Sequence, residues 1–414
     1  MPNNRKNIVL VTKDVLRRDY LRCYNPNSIF NTKNIDKLAK KGCIFDNFYA
    51  SAASTGMATT CMFSGLSAFQ LERKSFREVN QFTQTKTLFS LLEDEGVSTH
   101  VIWSYEFEEM GYAYSKVFDE ATNIHYAPPG GSCETTPQKR AFKGKGDSYD
   151  LPDYFFQFIK KISDESSGRF FIWCHCPHVF QPRTSYGSDI DLFDSLIGRL
   201  DNEIDAELIV AADHGHMLCE KGKITYGFDL YDGIVKIPLI TPNYFGSSTV
   251  EFPVEQSQLK EILFSKKLVK KEFIYSDTQY YEQKNRKLMI LKGQMKYIFN
   301  KIDQSEELYD LKFDPSENIN LLVDYWPDLE RNTAYKLDEV VYYNDWSKAK
   351  EYYYLLRQEK DKIWRQGSFL SEFISDIKSR FANRRKAGLI NSFKSRSKKL
   401  YVDGKWGSRA RINL

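Results

Sequence analysis

The sequence has 414 residues, of which 42% are hydrophobic and 28% charged, and a formal net charge of +4. This length suits one large α/β domain with an appendage, or two domains, and the composition excludes disorder for most of the chain. It holds no apolar run of the roughly 18 residues that a membrane span needs, and its seven cysteines form no Cys-x-x-Cys pair. We therefore expect a soluble, cytoplasmic protein with reduced thiols.

The first 250 residues alternate between short apolar runs and segments with helical periodicity. "NIVLVT" (7–12) predicts a strand, and "NTKNIDKLAKKG" (31–42) predicts a helix with a C-cap glycine. Downstream, a helical segment followed by an apolar strand occurs three more times: "TKTLFSLLEDEG" then "VSTHVIW", "LPDYFFQFIKKISDES" then "RFFIWCHC", and "DIDLFDSLIGRLDNEI" then "AELIVAADHGH". We expect an α/β fold with a mostly parallel central sheet between helices, and a ligand site at the carboxyl ends of its strands.

The pattern changes near residue 250. The segment 271–300 contains short β-type runs separated by polar and glycine turns, which predicts a smaller antiparallel sheet. We therefore expect a main α/β catalytic domain over 1–250, a smaller sheet subdomain over 251–324 that completes the fold, and a helical, basic extension over 325–414.

The end of this extension carries a strong positive charge. Residues 377–414 hold twelve Lys or Arg and one Asp, which leaves the rest of the chain acidic. Such a tail favours contact with an anionic membrane surface, a polyanion or a neighbouring subunit, although a solvated tail without a partner is the simpler alternative. Peripheral attachment to the inner face of a membrane fits this charge, and a homo-oligomer is an alternative. We expect no nucleic-acid partner, because the sequence shows no recognised nucleic-acid-binding fold.

Two acidic positions end predicted strands. Asp213 and His214, in "ADHGH" (212–216), follow an apolar strand, and Asp14 follows the first strand. A carboxylate and an imidazole at one sheet edge could bind a cation, and Asp14 would be costly there without a partner. The alternatives are ordinary turn chemistry for the Asp-His-Gly segment and helix or turn capping for Asp14.

The order of segments resembles the sulfatase branch of the alkaline phosphatase superfamily over roughly residues 7–322. The matching parts are Asp14, "PH" near residue 178, "DHG", "LYDGIVKIPLI", and "ELYDLKFDPSEN", which is similar to that family's closing signature. The Cys/Ser-x-Pro-x-Arg signature of true sulfatases, whose first residue becomes formylglycine, is absent. Counting back from Gly65, Thr55 occupies that position, and "STGMATTCMFS" is instead similar to phosphoethanolamine transferases and lipoteichoic-acid-synthase-type enzymes.

This resemblance implies the roles of the site residues. Thr55 corresponds to the nucleophile and His178 to the histidine that contacts the transferred group and protonates the leaving oxygen. One divalent ion, Mn²⁺ or Zn²⁺ first and Ca²⁺ or Mg²⁺ as alternatives, is implied with the ligands Asp14, Thr55, Asp213 and His214. The substrate contacts implied are Gly56, His175, His216 and Lys221, with a buried core histidine as the alternative for His175.

The favoured hypothesis is a phosphotransferase or phosphodiesterase that forms a phospho-Thr55 intermediate. Its partners would be a phosphodiester donor and an alcohol acceptor, such as a glycan or lipid-linked glycan, or water. One alternative is a sulfuric or phosphoric ester hydrolase that acts on a small molecule. Another is an inactive homologue that binds an anionic glycan.

The basic tail makes the membrane hypothesis testable. We expect the intact chain to sediment with liposomes of anionic lipid at low salt and to be released at high salt, since each basic residue near such a surface contributes about 1 kcal/mol. A chain truncated after residue 376 should stay in the supernatant. Equal sedimentation of the two proteins would refute membrane attachment through the tail.

Overall fold

The computed structural model describes residues 6–75, 78–80, 86–103, 123–126, 151–177, 186–278, 286–322, 333–336 and 339–365. The chain forms two compact units, Met1–Lys362 and Ile363–Leu414. His178 and the basic segment 377–414 lie outside the described residues. The domain division predicted at residues 250 and 324 stays a prediction.

A large sheet forms the centre of the first unit. Within the described part of the chain it has eight strands, in the spatial order β12 (Thr249–Val250), β2 (Cys43–Phe45), β11 (Leu239–Thr241), β9 (Glu207–Ala212), β1 (Ile8–Lys13), β8 (Phe170–Cys176), β6 (Ser98–Trp103) and β7 (Asn123–Tyr126). Of these described strands, only β11 runs against the others. The predicted mostly parallel sheet is confirmed.

The central strands are buried on both faces. Every residue of β1 and of β8 is buried, as are five of the six residues of β9. Parallel strands read as continuous apolar runs because helices cover both sides of the sheet. Leu10 of β1, for example, pairs with Trp173 on one side and Ile209 on the other, and all three side chains are fully buried.

The described helices are α1 (Lys33–Lys41), α2 (Thr55–Ser64), α3 (Leu88–Asp94), α4 (Leu151–Glu165), α5 (Tyr186–Glu203), α6 (Asp232–Val235), α7 (Leu259–Ser265) and α8 (Trp346–Arg365). Helices α1 and α4 pack against α5, whereas α2 and α3 pack against α7. Short 3-10 turns cover Arg18–Tyr20, Ala68–Gln70, Glu220–Gly222 and Gln256–Gln258. No helix in the described ranges combines the length and the apolar character that crossing a bilayer requires.

A smaller sheet follows, as predicted from the composition after residue 250. Its strands β14 (Ile274–Asp277), β15 (Lys287–Lys292), β16 (Met295–Asn300) and β17 (Glu306–Asp310) pair antiparallel in chain order. A two-residue turn joins β15 to β16, and it begins with Gly293, whose φ of 60° suits glycine. A three-stranded sheet has β3 (Phe48–Tyr49) between β10 (Lys236–Ile237) and β13 (Val254–Glu255). Two further pairs of described strands are antiparallel: β4 (Glu72–Ser75) with β5 (Glu78–Asn80), and β18 (Thr333–Lys336) with β19 (Glu339–Tyr342).

The segment "LYDGIVKIPLI" changes sheets within a few residues. Strand β10 joins the three-stranded sheet and β11 joins the large one, with Pro238 between them. Proline has no backbone N–H to donate, so a strand cannot continue through it with an unbroken ladder. The chain therefore passes from one sheet to the other at this residue.

Gly42, the predicted C-cap of α1, should be hard to replace, because the backbone of Thr241 lies close to its Cα. A Cβ at Gly42 would lie 2.2 Å from the carbonyl oxygen of Thr241. We expect Gly42→Ala to lower the free energy of unfolding by about 2 kcal/mol or more, measured by urea denaturation with circular dichroism.

Gly168→Ala is the matched control, since no described atom lies within 4 Å of its added Cβ. A Gly42→Ala protein as stable as Gly168→Ala would contradict the packing described here.

Candidate active site

Four polar side chains meet at one edge of the large sheet. Asp14 follows the end of β1, and Asp213 and His214 follow the end of the neighbouring strand β9. Thr55 is the first residue of α2. Carboxyl ends of adjacent parallel strands share one edge of a sheet, which is why residues nearly 200 positions apart converge there.

The distances place Thr55 in the middle of this group. Its Oγ1 lies 3.1 Å from His214 Nε2 and 3.4 Å from Asp14 Oδ1. His214 Nε2 lies 3.7 Å from Asp14 Oδ1 and 3.5 Å from Asp213 Oδ2. All four residues are buried, with Asp213 and His214 at 0% exposure.

The hydrogen bonds of His214 determine which ring nitrogen faces the group. Nδ1 lies 2.9 Å from the carbonyl oxygen of Gly215, which can only accept, so Nδ1 carries the proton and donates it. In the neutral ring Nε2 then presents its lone pair to Thr55 and the two carboxylates. This is the arrangement in which a histidine binds a metal through one nitrogen while a carbonyl holds the other.

Asp213 has one satisfied oxygen and one that lacks a donor. Oδ1 accepts hydrogen bonds from the backbone N–H groups of His214 (2.8 Å) and Val15 (3.3 Å). Oδ2 is buried, and no hydrogen-bond donor in the described residues reaches it. Buried carboxylate oxygens are almost always paired or bound to a cation. The cluster Asp14, Asp213 and His214 thus has the donor atoms that a divalent ion needs.

Helix α2 presents Thr55 at its positive end. Ser54 is the N-cap, but its side chain makes no capping hydrogen bond, so it does not occupy the N–H groups of the first turn. Such a helix end attracts anions such as phosphate and sulfate. Nine of the ten α2 residues are buried, and Gly56 is the exception. Gly56, next to Thr55, is thus the partly exposed residue of this helix, and its contact with a substrate stays a prediction.

The other hydroxyls of α2 have different surroundings. The hydroxyl of Thr59 donates to the carbonyl of Thr55 at 2.7 Å. Thr60 Oγ1 is buried without a hydrogen-bond partner in the described residues. Thr55 is the hydroxyl of this helix that the described hydrogen bonds link to Asp14 and His214.

His175 lies on β8 outside the group of four. Its ring is fully buried, stacks on Trp103 with 4.1 Å between the ring centroids, and its Nδ1 lies 2.7 Å from Thr12 Oγ1. Burial lowers the pKa of His175 to about 3. The ring is therefore neutral at physiological pH. Because the unfolded chain binds this proton near pH 6.5, His175 makes the fold less stable as the pH falls from about 6.5 towards 3.

His216 and Lys221 also lie apart from Thr55. His216 is half-buried, and its Nδ1 donates to the carbonyl of Met217 at 2.6 Å. The Lys221 ammonium donates to the carbonyl of Glu317 and lies 4.5 Å from the centre of the Tyr231 ring. The described contacts of both residues are therefore with loop carbonyls and aromatic rings, and their role in substrate binding stays a prediction.

Two residues that the sequence did not single out contact the site. The Tyr226 ring lies over the His214 ring with 4.6 Å between centroids. The side-chain amide of Gln256 is fully buried and joins two loops: Nε2 donates to the carbonyl of Asp213 at 2.8 Å, and Oε1 accepts from the N–H of Ser51 at 3.2 Å. Gln256 thereby ties the loop of the carboxylate to the segment that leads into Thr55.

Comparisons with known proteins identify the family of this chain. The family model described as Sulfatase matches residues 6–242. An N-acetylglucosamine-6-O-sulfatase of Bacteroides thetaiotaomicron is 30% identical over 118 residues, a match that spans 26% of this chain and only 19% of that enzyme.

Solved structures share the fold at low identity. A 2-O GAG sulfatase has a TM-score of 0.63 and 15% identity, with 87% of this chain and 93% of that chain covered. The phosphonate monoester hydrolase of Agrobacterium radiobacter has a TM-score of 0.58 and 14% identity, with 78% and 92% covered. The family match covers more than half of the sequence and spans the positions of Asp14, Thr55, Asp213 and His214, so the chain belongs to the sulfatase family.

Proposed function

We propose that this sulfatase-family protein is a metal-dependent phosphotransferase or phosphodiesterase whose nucleophile is Thr55. The observation that carries the proposal is the position of the Thr55 hydroxyl, within 3.4 Å of both Asp14 and His214 at the start of a buried helix. Oxidation of a Cys or Ser side chain yields the formylglycine aldehyde of true sulfatases. The methyl group on Cβ of threonine prevents that product, so Thr55 acts as an unmodified alcohol.

The donor set supports one divalent cation, held by Asp14, Asp213, His214 and Thr55. A mixture of oxygen atoms and one imidazole nitrogen suits Mn²⁺ or Zn²⁺ better than Ca²⁺ or Mg²⁺, which prefer oxygen ligands alone. The cation would supply Lewis acidity that lowers the pKa of the threonine hydroxyl and stabilises negative charge at the phosphoryl group.

The first chemical step transfers a substituted phosphate to the protein. Thr55 Oγ1 attacks phosphorus, a new P–O bond forms, and the bond to the leaving oxygen breaks. Asp14 Oδ1 lies 3.4 Å from the hydroxyl and can accept its proton, whereas the lone pair of His214 Nε2 would be committed to the cation. We assign His178 to protonate the leaving oxygen, on the basis of the family resemblance.

The second step releases the substituted phosphate. An alcohol or water attacks the phospho-threonine, the P–Oγ1 bond breaks, and the threonine hydroxyl is restored. We propose a phosphodiester donor and a glycan or lipid-linked glycan as acceptor, at the cytoplasmic face of a membrane. The first-turn N–H groups of α2 stabilise the phosphoryl oxygens in both steps.

A hydrolase of small sulfuric or phosphoric esters is the second candidate. It is favoured by the relatives that are named as sulfatases and as a phosphonate monoester hydrolase. This candidate predicts turnover of an aryl ester in water without an acceptor alcohol, whereas a transferase accelerates when an acceptor is added.

Thr55 should carry the covalent intermediate. We expect peptide mass spectrometry, after incubation with Mn²⁺ or Zn²⁺ and an aryl phosphodiester, to show the substituted phosphate on Thr55. Thr55→Ala should lack the adduct and lose about 1,000-fold or more in turnover, because it has no nucleophile.

Thr60→Ala is the matched control, since the Thr60 hydroxyl lies on the same helix and has no hydrogen-bond partner in the described residues. It should keep the adduct. An adduct on another residue, or none with a donor that is turned over, would contradict the assignment.

Asp213 should control metal affinity. Asp213→Asn replaces the buried oxygen that lacks a donor, and we expect the affinity for Zn²⁺, measured by calorimetry on EDTA-treated protein, to fall about 100-fold.

The control is Asp205→Asn, an exposed carboxylate that precedes the same strand. If Asp213→Asn bound Zn²⁺ as tightly as Asp205→Asn, the assignment of Asp213 as a ligand would be wrong.

A further inference from the structure

A cavity separate from the group of four lies beside the loops that carry it. Its volume is about 290 Å³, and the residues used below line it: Arg17, Met217, Lys221, Tyr231, Lys236 and Glu317. Arg17 is three residues after Asp14, and Met217 is three residues after His214. Asp14, Thr55, Asp213 and His214 are not among the lining residues.

Most charges around this cavity are already neutralised by protein groups. Arg17 forms ion pairs with Asp19 and Glu220. Asp232 and Glu317 each lie 2.7 Å from the fully buried ammonium of Lys296. The carboxylates at the cavity wall are thereby held by Arg17 and by Lys296, not by the two remaining lysines.

Within the part of the chain that the structure describes, no carboxylate contacts the ammonium group of Lys221 or of Lys236. The Lys221 ammonium donates to the carbonyl of Glu317 and lies over the Tyr231 ring. For Lys236 the described residues offer no hydrogen bond or ion pair, and the nearest ring contact is Tyr49, with 6.0 Å to the ring centre. Burial lowers the pKa of both lysines, and the nearby carboxylates, Glu317 for Lys221 and Asp232 for Lys236, offset this effect only in part.

The backbone around Lys221 is unusual for residues that only cover a surface. Cys219, Lys221 and Glu317 have positive φ values of 81°, 54° and 56°, in the left-handed region that side chains disfavour. Such conformations persist when the surrounding structure imposes them, and they cluster at binding sites. From this backbone the Lys221 side chain reaches the carbonyl of Glu317, and both residues line the cavity.

We propose that this cavity binds an oxyanion, such as a sulfate, phosphate or carboxylate group, between the ammonium groups of Lys221 and Lys236. An oxyanion there places a negative charge in direct contact with both lysines and accepts hydrogen bonds from their remaining N–H groups. The volume holds one such group with its attached atoms, and Tyr231 and Met217 offer an apolar wall to whatever carries it. This site goes beyond the proposed function, because it needs neither the metal nor Thr55.

Inorganic sulfate is the probe for this site. We expect EDTA-treated Thr55→Ala protein to bind sulfate saturably at low ionic strength in calorimetry, and Lys221→Gln or Lys236→Gln to weaken this binding about tenfold or more. Lys267→Gln removes the same charge from an exposed lysine outside the cavity and should leave binding unchanged. Circular dichroism melts identify any variant that fails to fold, and two independent lysines keep the test decisive.

Absence of saturable binding would overturn the proposal, as would wild-type affinity in the folded lysine variants. Neither result depends on turnover, so a failure here is distinct from a failure of the proposed function.

The source of the oxyanion can be separated in the metal-loaded Thr55→Ala protein. If the oxyanion is a second anionic group of the substrate, a sugar bisphosphate should bind more tightly than the monophosphate, and Lys236→Gln should remove this difference. If the oxyanion is a free ion, the two sugar phosphates should bind equally well, while sulfate binding should still depend on Lys236.

Discussion

Two buried carboxylates converge at the edge of the large sheet, and much of the described structure near the site serves to hold them there. Asp14 and Asp213 would repel each other in a low-dielectric environment unless a cation lies between them. The lone pair of His214 Nε2 and the Thr55 hydroxyl complete a set of donors directed at one point. Apolar side chains at these positions would stabilise the fold better than two buried carboxylates, so the group indicates a functional site.

The support for this group comes from distant parts of the chain. The Gln256 amide fixes the loop of Asp213 relative to Ser51, and the backbone of Asp277 pairs with Ser51 and Ala53 just before Thr55. Asp277 is itself held by the fully buried guanidinium of Arg286, with the closest N···O distance at 2.6 Å. Gln256, which is bound to the loop after β9 of the large sheet, and Asp277 of the smaller sheet therefore both contact the segment that leads into Thr55, and they fix where that segment lies.

Much of the fold and the centre of the site could be predicted from the sequence. The alternation of strands and helices and the smaller antiparallel sheet follow from periodicity, which is a local property. Asp14, Asp213 and His214 could be found because they follow predicted strands, and the carboxyl ends of parallel strands meet. Thr55 needed the family resemblance, since the hydroxyls of α2 look alike in sequence.

Other features had no local signal. Gln256 lies in a short turn and acts on residues 43 and 205 positions away, so only the folded chain shows its role. The direction of β11 and the change of sheet at Pro238 depend on which neighbours a short strand finds. Lys221 was expected near the transferred group, yet its described contacts are with Glu317 and Tyr231. The direction of a long side chain depends on backbone torsions that residue spacing does not reveal.

The pairing of Ala52 with Asp277 has a consequence for synthesis of the chain. A ribosome produces Asp14 and Thr55 early, but Gln256, Asp277 and Arg286 emerge more than 200 residues later. Strand β9, which precedes Asp213, emerges shortly before them, so the nascent protein has both carboxylates before it has the contacts that position Thr55. The segment before Thr55 thus reaches its final position only when the smaller sheet has formed, after both carboxylates have been synthesised.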